Sequence, residues 1–133
     1  MSIDLTQCSV ALLGSVDLVN MNGTPATETT IYTVPVGKKC VLNHVRIRNI
    51  SATCSSATAS FGAAGAARNF LGTQTLSALN VAGASGILTP IPAVITPIGY
   101  EYEAGVALVM KLIAAAGSAC TATIEFFGTI DNA

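Results

Sequence analysis

Apolar and polar residues alternate with a period of two over several short stretches, and nowhere does a long 3.6-residue pattern with caps appear. Thr29 to Val34 is rich in β-branched and aromatic residues and stops at Pro35, after which Pro-Val-Gly-Lys reads as a reverse turn with Pro at its second position or just before it. From Lys39 onward Val41, Val45 and Ile47 point to one face and His44, Arg46 and Arg48 to the other, until Asn49 to Ser51 ends the strand. Cys54 to Phe61 alternates small residues and is expected to pair antiparallel with that strand. "GAAGAAR", Gly62 to Arg68, lacks anchoring side chains and reads as a loop. Thr75 to Val81 and Gly86 to Ile95 supply two further short strands, with Pro90 and Pro92 confining the second to a sheet edge or an irregular crossing.

The last third carries the clearest pattern. "YEYEAG" turns into "VALVMKLIAA", and "AAGSA" leads to "CTATIEFFGTI", which reads as a hairpin. In its second arm Ala122, Ile124 and Phe126 face one way and Thr121, Thr123, Glu125 and Phe127 the other. Seven or eight strands result, allowing one within Gln7 to Val19, where Ser9 to Val19 is alternatively a short helix. Short strands separated by Gly, Pro and Ser predict an all-β fold, an antiparallel β-sandwich or jelly roll. Residues 28–133 form the sandwich in this reading. Residues 1–27, ending in the turn-rich "NMNGTPATE", are either an arm that crosses to a neighbour or an ordinary first strand.

Composition changes this picture in one respect. The 133 residues suit a single domain, but only 10% are charged while 51% are hydrophobic. Solvent-facing surfaces usually carry some 25–35% charged residues. No apolar run approaches the roughly 18 residues of a spanning helix, so membrane insertion is not expected. The excess of Ala, Val, Ile and Leu diluted in Ser, Thr and Gly instead implies a weakly polar exterior that partners cover. A net charge of −1 argues against nucleic acid as the partner. The opening "MSIDLTQCSVALLGSVDLVN" has no basic n-region and holds Asp4 and Asp17, which predicts synthesis in a cytoplasm without a secretory signal. Asn22-Gly23-Thr24 and Asn49-Ile50-Ser51 are then chance glycosylation matches. Cys8, Cys40, Cys54 and Cys120 have no metal-ligand spacing and read as buried small hydrophobes, a disulfide being the alternative.

Catalytic chemistry finds little to use. His44 is the only histidine, it lies beside Arg46 and Arg48, which disfavour its protonation, and no carboxylate or second His is near it in sequence. Glu101 and Glu103 share a face if Gly99 to Glu103 is a strand, yet they lack the acidic and aromatic neighbours of a glycosidase or calcium site. There is no Trp to build a sugar platform, and "GAAGAAR" lacks the Gly-Lys-Ser/Thr ending of a phosphate loop. The expectation is a protein without catalytic residues, metal or cofactor. What remains is a concentration of charge: Lys38, Lys39, His44, Arg46 and Arg48 are five of the seven Lys, Arg and His residues. Such a stripe is suited to docking on an acidic patch, either of another protein or of a second copy through Glu101, Glu103 or Glu125.

The stretch "YTVPVGKKCVLNHVRIRNIS" resembles the opening hairpin of many small virion proteins of tailed bacteriophages, with Tyr-Thr-Val-Pro-x-Gly-Lys followed by an alternating strand that ends in Asn-x-Ser. "CTATIEFFGTID" is similar to their final strand. The likeness covers about half of the chain, and the segment before Thr27 matches nothing in it. It implies a non-enzymatic structural protein, most of all a capsid decoration (cement) protein. Such a protein works on the virion surface, binds the major capsid protein and self-associates, a homotrimer being favoured. The same motif also occurs in neck, tail and fibre-associated components, including modules that bind a host surface.

Overall fold

The computed structural model describes residues 10–89 and 101–132, and nine strands lie among them. They form two antiparallel sheets. Sheet A contains β1 (Ala11–Asn20), β9 (Thr121–Asn132), β3 (Lys38–Arg48) and β6 (Gly86–Leu88) in that order, with β7 (Glu101–Tyr102) also on β3. Because β9 occupies one edge of β3 along its length, β6 and β7 share the other edge, opposite Val45–Ile47 and Cys40–Val41 respectively. Sheet B contains β2 (Glu28–Thr33), β8 (Ala107–Ala114), β4 (Thr58–Ala63) and β5 (Ala66–Thr75). With β6 and β7 taken as one interrupted strand, this order is that of an eight-stranded jelly roll. The all-β sandwich expected from the alternation is therefore what the chain forms.

The structure departs from the local reading at several places. The segment Cys54 to Phe61 does not pair with β3; its strand β4 lies in the other sheet, between β8 and β5. The arms joined by "AAGSA" are not a hairpin, since β8 belongs to sheet B and β9 to sheet A. Conversely, "GAAGAAR" is not a loop. Ala63 pairs with Ala66, and Gly65, at φ 79°, makes the tight turn between β4 and β5. Thr75 to Val81 leaves the sheet after Thr75 and closes a turn in which Leu79 donates its N–H to the Leu76 carbonyl. Ala11–Asn20 is a full strand paired with β9 rather than a helix. Of the strand expected over Gly86 to Ile95, β6 is the described part, while Pro90, Pro92 and the rest of it lie outside the described residues. Residues 1–9, with Cys8, lie outside them too.

The space between the sheets holds the core. Phe61 of sheet B and Phe126 of sheet A meet edge to face at 6.0 Å. Met21, Val45, Ile47, Leu108, Met110, Leu112 and Ile124 pack around them, all essentially without solvent contact. Tyr102 is buried too, and its hydroxyl donates across the sandwich to Asn69 Oδ1 at 2.9 Å, which also accepts the Ala63 N–H. That satisfies a polar tip that burial would otherwise penalise.

The cysteines divide. Cys40 is a buried free thiol, as expected of a small hydrophobe, and burial pushes its pKa up to about 11. The same expectation fails for Cys54 and Cys120, which form a disulfide over a sequence separation of 66. Cys54 follows β3 and Cys120 precedes β9, so the bridge fastens crossing segments where Ser51 N–H also donates to the Thr121 carbonyl.

A candidate partner-docking face on sheet A

The outward side of sheet A is set by a bulge in β3. Leu42 pairs with Gly128 and His44 with Phe127, leaving Asn43 as the extra residue. A period of two drawn straight through β3 puts Val41 with Val45 and Ile47, but the bulge changes the phase: Cys40 and Leu42 are buried, Val41 is half-buried on the other side, and Val45 and Ile47 return to the core. Gly128 makes this possible. A Cβ there would run into the Val41 carbonyl oxygen, so only glycine lets the strands approach at that point.

Past the bulge, β3 turns His44, Arg46 and Arg48 outward and β9 turns Phe127, Glu125 and Thr123 outward beside them. His44 stacks flat on Phe127, centroids 4.5 Å apart at 10° between planes. Its Nδ1 is 2.7 Å from Asn43 Oδ1, an oxygen that can only accept, so Nδ1 carries the proton. Burial against its neighbours lowers the His44 pKa below 6.5; this desolvation, rather than the adjacent arginines, is the cause. Arg48 Nε donates to Glu125 Oε1 at 3.0 Å, and Arg46 Nε stands 3.8 Å from the same oxygen. The Glu125 side chain is 7% exposed under these two half-exposed guanidinium groups. On the next strand out, Thr123 Oγ1 donates to Asp17 Oδ1 at 3.0 Å.

The basic stripe thus separates into two groups. At the start of β3, Lys39 pairs with Glu101 at 3.5 Å and Lys38 donates to Asn132 Oδ1 at 2.7 Å. At a rise of about 3.3 Å per residue, Lys38 and Arg48 lie roughly 30 Å apart along the strand. Glu101 and Glu125, named as acids for another copy, meet cations of their own chain. Glu103 is exposed just after β7.

Two participants were not legible as such. Ile87 of β6 pairs with Arg46 and is 63% exposed, and Leu12 of β1 pairs with Phe127 and is half exposed. Both follow from register, which no local pattern reveals. A hollow of about 490 Å³ on this face is lined by His44, Arg46, Ser85, Gly86, Ile87 and Phe127. Among the described residues no group of three or more His, Cys, Asp or Glu could hold a metal ion, and no helix is long and apolar enough to cross a membrane.

Neither the protein-family models nor the curated proteins match this chain. Among solved structures, a chain of the cyanophage Pam1 capsid asymmetric unit is similar, at a TM-score of 0.57 and 20% identity, over 92% of this chain and 82% of that one. At that identity the likeness is one of fold: the two chains share their β-sandwich architecture along nearly their whole lengths.

Proposed function

We propose that this protein is a structural component of a bacteriophage virion, and specifically a capsid decoration protein that binds the outside of the head and stabilises contacts between major capsid subunits. The observation that carries the reading is a jelly roll with fold similarity to a chain of a phage capsid asymmetric unit, combined with a charged fraction of only 10%. Clamping adds contacts present only in the assembled shell and so favours that state by mass action. The protein is read as non-enzymatic and as self-associating, a trimer by preference.

Quantifying copies per purified particle tests the placement. Hundreds of copies fit decoration of the head, whereas a handful to a dozen would move the protein to the neck, tail or fibre. Size-exclusion chromatography with light scattering is expected to give a trimer. A monomer at high concentration would contradict the self-association read from the surface.

A further inference from the structure

Among the described residues, Arg46 on the sheet A face forms an ion pair with Glu125 but no hydrogen bond. Arg48 takes Glu125 Oε1 at hydrogen-bond distance, and the single carboxylate is thereby engaged. Arg46, at 3.8 Å from the same oxygen, is too far for a hydrogen bond, and its guanidinium makes none with any described residue. It is 45% exposed, permanently charged, and carries five N–H donors in a planar fork suited to a carboxylate. Two guanidinium groups over one carboxylate also leave this part of the face with an excess positive charge. Beside Arg46, Ile87 of β6 and the His44–Phe127 stack offer apolar side chains, and together with Ser85 and Gly86 they line the 490 Å³ hollow. A solvated arginine has no need of that setting, but a partner that presents a carboxylate next to an apolar side chain uses both halves at once.

We propose that this hollow is a docking site for a short acidic segment of another protein, with one carboxylate gripped by Arg46 and a neighbouring aliphatic or aromatic side chain seated between Ile87 and Phe127. Charge complementarity selects an acidic occupant, and the apolar walls select one whose acids are interrupted by apolar residues rather than a run of acids alone. Nucleic acid offers the charge without that apolar side chain, and the net charge of −1 opposes it. Assigning the segment to a capsid subunit rests on the virion reading above; the chemistry of the site does not.

The test uses the isolated full chain, isotope-labelled for NMR, and three blocked peptides of equal length: alternating Glu and Leu, the same with Gln for Glu, and oligoglutamate. The Glu-Leu peptide is expected to shift the resonances of His44, Arg46, Ile87 and Phe127 saturably, and to bind about tenfold more tightly than either control. Arg46→Gln and Ile87→Ser change exposed side chains, should leave the fold intact by the dispersion of their NMR spectra, and should each weaken binding by about fivefold or more. Shifts confined to another face, equal binding of oligoglutamate, or wild-type affinity in both variants overturns the proposal. So does concentration-dependent self-association through these residues that the Glu-Leu peptide does not relieve, since the occupant is then a second copy. Because no particle enters the experiment, its failure leaves the virion reading standing, and a particle without this protein leaves the peptide result standing.

Discussion

The outer face of sheet A carries Arg46, Arg48, Glu125, His44 and Phe127, whereas the register places Thr30, Val109, Ser60 and Lys111 on the outer face of sheet B. On sheet A the charges are organised around one nearly buried carboxylate that lies within ion-pair distance of two arginines. On sheet B, Ser60 and Val109 have almost no exposure, and Lys111 lies opposite Glu28 with no ion pair between them. A face built on paired charge and aromatic stacking is directional and can recognise. The recognition argument for this protein therefore belongs to sheet A.

The largest expected effect reaches both faces at once. Replacing Cys54 and Cys120 by Ser releases a loop of 66 residues, for which the chain-entropy relation gives about 4 kcal/mol. Denaturant unfolding should show that loss while the surviving native fraction keeps both faces. A loss under about 1 kcal/mol would mean that the crossing segments hold the sheets together without the bridge.

Glycine substitutions separate the faces. Gly128→Ala forces a Cβ against the Val41 carbonyl and should cost about 2–3 kcal/mol, with displacement of the His44 and Phe127 resonances. Gly72→Ala on β5 meets nothing within 4 Å and should change stability by no more than about 0.5 kcal/mol. Equal costs at the two positions would remove the bulge as the device that sets the sheet A face.

Charge deletion comes next in size. Glu125→Ala leaves Arg46 and Arg48 facing each other and should destabilise by about 1.5 kcal/mol, an effect reduced by high salt. Lys111→Ala on sheet B should fall within about 0.5 kcal/mol. If Glu125→Ala were as mild as Lys111→Ala, the ion pairs would be incidental to the fold.

The smallest effect is one of pH. Since the folded pKa of His44 lies below 6.5, the unfolded chain takes up the proton first as pH falls. The stabilising contribution of the neutral ring is full above about 6.5 and declines below it, through the folded pKa. A modest drop in melting temperature on acidification should be lost in His44→Gln, and an unchanged slope in that variant would assign the titration elsewhere.

Which residues face inward was largely legible from the chain, because side-chain direction in a strand alternates residue by residue and needs no knowledge of the partner. Ala122, Ile124 and Phe126 pointed inward and Thr123, Glu125 and Phe127 outward by that rule alone, and the outward set of His44, Arg46 and Arg48 was correct. Val41 was not, since an extra residue shifts the phase only where a facing glycine admits it, and Gly128 lies 87 positions away along the chain. Strand neighbours were misread because a jelly roll sends most successive strands to opposite sheets, so adjacency in sequence does not become adjacency in space.

The sequence by itself determined that the protein is built of short strands with a charge-poor exterior, and that its basic residues gather on one strand. Only the tertiary structure decided that Cys54 meets Cys120, that Glu125 neutralises its own chain's arginines, and that Ile87 stands beside Arg46. The physical reason is that alternation and turn chemistry are properties of neighbouring residues, whereas pairing register depends on burying the whole core at once.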